Sequence, residues 1–157
     1  MTSATTSDVE CRALGDRAEI VDLTSNLCLL VDARDWESLP GLFSDPVAVD
    51  YTSLNGGDPQ ISSAEDLAGG WRATIDRLDA TQHLIAGHVI VLDGDHATCA
   101  ACVQATHLRV NVTGGPLWTV AGRYDFGLAR TSAGWRISAL KFTVLWATGN
   151  QHIMEAA

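Results

Sequence analysis

Positive charge is scarce in this chain: ten Lys and Arg stand against nineteen Asp and Glu, giving a formal net charge of −9 over 157 residues. The basic side chains are scattered without a stripe or cluster, so the charge repels a phosphate backbone and an anionic membrane surface alike. Nucleic acid and membrane are therefore not the expected partners. No apolar run approaches the roughly 18 residues that a membrane span requires. Met1-Thr2-Ser3-Ala4-Thr5-Thr6-Ser7 has neither the basic start nor the apolar stretch of a secretory signal, and the expected setting is cytoplasmic. Cysteine is sparse too. Cys99-Ala-Ala-Cys102 has CxxC spacing but falls inside a strand-like run, where positions three apart point to opposite faces. With no second pair to complete a zinc set, the cysteines are expected to be small apolar fillers.

What is present is the material for one core, 46% hydrophobic residues with 18% charged, at the length of one domain. The expected boundaries are a flexible N-terminal tail at 1–12, a single domain at 13–147 and a C-terminal tail at 148–157. Ile20, Leu23, Leu27, Leu30 and Val31 recur at helical spacing between Asp16 and Arg34. Asp32 lies in the last turn of that helix, where a carboxylate beside an apolar stripe needs a partner. Asp35 reads as the N-cap of a short helix running to Phe43 and, being close to Asp32, as a secondary catalytic candidate. Val47 to Thr52 alternates as a strand that puts Tyr51 on the face of Val47 and Val49. A second amphipathic helix runs from Ala64 to about Leu78.

From His83 onward the period is two. His88–Leu92, the Asp93-Gly94-Asp95 turn and Ala97–Val110 form a hairpin, followed by strands at Trp118–Ala129 and Trp135–Trp146. Helices first, then a meander of long strands, is an α+β plan: a curved antiparallel sheet wrapped around N-terminal helices as a cone with an internal pocket, a common site for a small ligand.

Four polar residues stand in apolar local contexts: Asp32, Tyr51, His83 and His107, the last beside Cys99, Ala101, Val103 and Ala105. A histidine takes and returns a proton near neutral pH, and a carboxylate on its other nitrogen fixes the tautomer and stabilises the imidazolium. A tyrosine hydroxyl can hold a developing enolate oxygen, and two imidazoles can divide acid and base roles. Together they suit proton abstraction next to a carbonyl with loss of a hydroxyl, or the same enolisation used for isomerisation, cyclisation or epoxide opening. A non-catalytic binding protein of the same fold is the remaining alternative. Asp32, His83 and His107 could also form an iron triad, a lesser reading.

The runs Val31-Asp32-Ala33-Arg34-Asp35-Trp36, Val49-Asp50-Tyr51, Thr81-Gln82-His83, Thr106-His107-Leu108-Arg109 and Gly134-Trp135-Arg136 resemble the SnoaL-like branch of the nuclear transport factor 2 fold, and within it the scytalone dehydratases. The resemblance covers about Asp16 to Trp146. It implies a lyase without cofactor or metal, a small cyclic or polyketide-like substrate, and Asp32, Tyr51, His83 and His107 as catalytic residues. It also marks departures: Val31 stands where those enzymes carry a second tyrosine, and Arg123 and Ala121 stand where they carry an asparagine and a serine. Arg123, able to clamp a carboxylate or phenolate or to pair with Asp125 or Asp32, joins Val31, Trp118 and Trp146 as the expected substrate-binding set. An open curved sheet with uncovered edges leads to the expectation of a homo-dimer or homo-trimer.

Overall fold

The computed structural model describes residues 6–155. Helix α1 spans Thr6–Ala33. Its buried residues, Ile20, Leu23, Thr24, Leu27, Cys28 and Val31, form one stripe at helical spacing that lies against the sheet. The helix starts well before the expected tail ends, so residues 6–12 are helical and only residues 1–5 of that tail lie outside the described residues. At its other end the Asp35 N–H donates to the Leu30 carbonyl at 2.9 Å, with Arg34 in the left-handed region at φ 57°. That pattern closes the helix two residues past Val31, the last of its core stripe, with Asp32 in its final turn.

Strand β1 (Phe43–Asp50) follows a short 3₁₀ turn at Leu39–Leu42. Next come α2 (Thr52–Asn55), β2 (Gln60–Ser62) and α3 (Ala64–Ile75), whose N-cap Ser63 accepts from the Asp66 N–H. Four long strands complete the chain: β3 (Ala80–Asp93), β4 (His96–Leu108), β5 (Leu117–Thr131) and β6 (Gly134–Gly149). They form one six-stranded sheet in the order β2-β1-β6-β5-β4-β3.

The sheet is mixed and not wholly antiparallel, because β1 pairs with β6 in parallel. Two irregularities matter for the site. Gly87 (φ 69°) sits in a break of the β3–β4 register between Ala86 and Val89, so inward positions are odd at Thr81, His83 and Ile85 and even at Ile90. Gly122 flanks a second break, between β5 and β6, where any Cβ would overlap the Thr143 carbonyl oxygen. Glycine is required there by the approach of two backbones.

The last strand runs to Gly149, and Gln151–Met154 form a 3₁₀ turn with Ile153 only 1% exposed. The expected C-terminal tail is thus folded onto the core through residue 154. Asn150 holds it by donating to the Thr113 and Gly115 carbonyls at 2.9 Å each. No helix among the described residues is long and apolar enough to cross a membrane.

Candidate active site

The concave face of the sheet, α1, α3 and the C-terminal turn enclose a cavity of about 490 Å³. Its lining includes the apolar Leu27, Val31, Val49, Trp71, Val103 and Phe142, and the polar His83, His107, Tyr51 and Tyr124 together with Thr52, Asn55, Asp58 and Gln60. Among the described residues no lysine or arginine lines it.

Asp32 sits behind His83. Its Oδ1 contacts His83 Nδ1 at 2.7 Å and accepts from Thr81 Oγ1 at 2.8 Å, and its Oδ2 accepts from the His83 backbone N–H at 2.7 Å. A carboxylate can only accept, so His83 Nδ1 carries the proton of this contact. Nε2 is then the ring nitrogen free to meet a ligand. Burial works against the charge on Asp32, but the bonds from the His83 ring, the His83 backbone and Thr81 outweigh it and hold the carboxyl below the ordinary carboxylate range. The backbone contact explains why β3 carries both Thr81 and His83. Alternate residues of one strand face α1 together, and one carboxylate ties both to the helix.

His107 is 4% exposed. Its ring stands edge-on to His83 with centroids 5.7 Å apart and stacks on Trp118 at 5.1 Å. Its Nδ1 lies 3.4 Å from the Trp118 carbonyl, an acceptor, so the neutral tautomer carries its proton there. Burial, reinforced by the neighbouring charge of His83, pushes its pKa down to about 4. His107 is therefore neutral at physiological pH, and its Nε2 accepts instead of donating.

That shift sets a pH dependence of folding. The folded pKa of about 4 lies below the ordinary 6.5, so between those values the unfolded chain binds a proton here that the folded chain refuses. Stability is then full above about pH 6.5 and falls with acidification at up to roughly 1.4 kcal/mol per pH unit from this group, until the pH reaches the folded value. Thermal midpoints between pH 7 and pH 4 are expected to fall more steeply in the wild type than in His107→Gln; equal slopes would refute the assignment.

The expected substrate-binding set divides. Val31 and Trp118 line the cavity. Arg123 does not: it is on the outer face of β5, its side chain 57% exposed, paired with Asp125 through Nε at 3.0 Å and Nη2 at 2.9 Å. Trp118 and Arg123 are five apart on one strand, so they occupy opposite faces. Trp146 is half exposed and lies outside the cavity lining. Asp35 accepts from the Ser38 N–H at 3.0 Å in the turn after α1 and takes no part in the cavity. Cys99 is buried, Cys102 exposed, and both are free.

Sequence reasoning missed Tyr124. Its hydroxyl meets that of Tyr51 at 3.1 Å inside the cavity. The signal was available, since Tyr124 is six residues from Trp118 and must share its face. Cys28 also lines this region, its thiol pushed up to about 12 by burial and by the charge of Asp32, which leaves it an unreactive apolar filler.

A curved six-stranded sheet packed with helices around a cavity has the α+β fold of NTF2-like proteins. Within that class the chain belongs to the SnoaL-like family, whose domain model matches residues 12–141. It is similar to the Kfla4162 protein of Kribbella flavida, with 35% identity over 92% of this chain and 99% of that one and a TM-score of 0.87. A proposed scytalone dehydratase from Novosphingobium aromaticivorans shares 16% identity over 88% and 90% of the two chains, with a TM-score of 0.75. The hexachlorocyclohexane dehydrochlorinase LinA type 2 shares 21% over 94% and 97%, with a TM-score of 0.74. At those identities the last two establish the fold alone. No curated protein matches the chain.

Proposed function

We propose that the protein is a cofactor-independent dehydratase acting on a cyclic or polyketide-like β-hydroxy carbonyl compound. The observation that carries this reading is the Asp32–His83 contact of 2.7 Å at the wall of the cavity. Nε2 of His83 takes the proton α to the carbonyl, and the C–H electron pair passes into an enolate. Asp32 stabilises the imidazolium so formed, and the Tyr51 hydroxyl holds the enolate oxygen directly or through water. The enolate then expels the β-hydroxyl, the C–O bond breaking as the C=C bond forms. His83 returns its proton to that hydroxyl, which leaves as water. His107, neutral and accepting, holds the hydroxyl hydrogen and so orients the leaving group. The proton return thus falls to His83, because the surroundings of His107 oppose the charge a general acid must carry.

SnoaL-like membership and the dehydratase and dehydrochlorinase among chains of similar fold support an elimination. The reading is tested by incubating the protein with cyclic β-hydroxy ketones and following product mass and absorbance. Loss of one water with appearance of a conjugated carbonyl is expected. A product of unchanged mass would replace dehydration by isomerisation or cyclisation on the same residues. Tight ligand binding that survives loss of both His83 and Asp32, without turnover in the wild type, would make the protein a carrier.

A further inference from the structure

Away from the two histidines, the cavity holds a second polar feature that the steps above use only in part. Tyr51 follows the last residue of β1 and Tyr124 comes from the middle of β5, and β6 lies between those two strands. Their hydroxyls converge to 3.1 Å, and aromatic neighbours set both rings. Phe142 lies 5.8 Å from Tyr51 and 5.2 Å from Tyr124, and Trp71 stands edge-on to Tyr51 at 6.2 Å.

Two phenols bring two protons. Their mutual bond uses one, and it is the only hydrogen bond either hydroxyl makes among the described residues. The second proton is left for a partner in the cavity that both residues line, beside the rings of Phe142 and Trp71. A buried donor without an acceptor is costly, so a ligand oxygen or a water must complete it. Burial raises the pKa of both phenols well above the ordinary value, which keeps the pair a donor and never an anion at working pH. With no lysine or arginine among the described lining residues and the Asp58 carboxylate among them, no permanent cation there balances a ligand carboxylate or phosphate.

We infer that the paired hydroxyls of Tyr51 and Tyr124 form the oxygen-recognition site of the cavity, and that this site selects neutral molecules carrying a carbonyl oxygen. Tyr124 is then a catalytic residue: its hydroxyl shares with that of Tyr51 the contact to the substrate oxygen. For this catalytic consequence the assignment rests on the elimination proposed above; for binding it stands apart from it.

The test uses 9-fluorenone, a planar tricyclic ketone with no α-hydrogen, so it reads binding whether or not the elimination reading holds. Its deoxy analogue fluorene and the anion fluorene-9-carboxylate are the comparisons. Quenching of the tryptophans, two of which line the cavity, reports affinity. Fluorenone is expected to bind roughly tenfold more tightly than fluorene, the worth of one net hydrogen bond, and more tightly than the carboxylate. Each of Tyr51→Phe and Tyr124→Phe leaves one phenol proton and keeps part of the ketone's advantage, whereas the double variant abolishes it. The carbonyl stretch of bound fluorenone is expected below its value in alkane solvent, and it shifts partway back in each single variant and fully in the double variant. No saturable binding of fluorenone, equal affinity for fluorene, tighter binding of the carboxylate, or a stretch that Tyr124→Phe leaves unmoved would each overturn the assignment.

Discussion

Asp32→Asn is expected to lower turnover by roughly 10²–10⁴-fold, as much as His83→Ala, the range for loss of a positioned acid/base group. The reason is one of donors and acceptors. Asp32 accepts three bonds, two at Oδ1 from the His83 ring and Thr81 and one at Oδ2 from the His83 backbone. An asparagine has one oxygen. If that oxygen takes the Oδ1 place, its NH₂ group faces the His83 backbone N–H, donor against donor. If it takes the Oδ2 place, the backbone bond survives, the NH₂ group faces His83 Nδ1, and the rotatable Thr81 hydroxyl turns to accept. The second orientation satisfies every group, so it prevails. It moves the imidazole proton from Nδ1 to Nε2, and the atom that must take the substrate proton then already carries one. The amide remains fully hydrogen-bonded, so the melting temperature should change little while the rate collapses. Nitrogen-15 NMR of the imidazole reads the switch directly, as a change from the Nδ1–H to the Nε2–H tautomer. Unchanged tautomer and unchanged rate would remove His83 from the chemistry.

The sequence singles out Asp32, His83 and His107 as odd in their settings but not which imidazole the carboxylate meets; the structure puts it on His83. A carboxylate at the edge of the apolar stripe Leu23, Leu27, Val31 needs a partner, and His83 opens the period-two region where partners face inward. Other features were hidden for physical reasons. Residues 6–19 of α1 are exposed or only partly buried, so they carry no apolar period, and the sequence marks the helix only from Asp16, just ahead of the core stripe that begins at Ile20. The parallel pairing of β1 with β6 joins segments some ninety residues apart; no local signal encodes which strand a neighbour will be. Arg123 shows a different failure. The family resemblance puts it at the ligand, whereas alternation from Trp118 along the same strand puts it outside and Tyr124 inside. The period of the strand was the better guide to the cavity wall.

Trp135→Ala should do the reverse of Asp32→Asn, moving stability and leaving the chemistry of the folded fraction intact. Trp135 is 1% exposed and opens β6 at the end of the sheet remote from the dyad. Its indole Nε1 donates to Asp16 Oδ1 at 3.2 Å, its backbone N–H donates to Glu19 at 2.8 Å, and the Arg130 guanidinium lies 4.4 Å over its ring. Arg130 in turn grips Asp16 through both Nη atoms, at 2.8 and 2.6 Å. One indole thus joins α1 to the turn between β5 and β6 by packing, hydrogen bonding and a stacked cation at once. Truncation to alanine leaves a cavity and strips the Asp16 carboxylate of a donor, a loss of about 3–5 kcal/mol for a buried tryptophan. At this chain length that is a fall of roughly 6–20 °C in melting temperature. Trp135→Phe keeps most of the packing and should cost clearly less, which separates the volume of the ring from its N–H bond. Below the transition, turnover per folded molecule should match the wild type, because no part of this network lines the cavity. A stability loss under about 1 kcal/mol would refute the tether, and a turnover loss in fully folded protein would show that the two ends of the cone are not independent. The tether of α1 at Trp135 would then also be what holds Asp32 against His83.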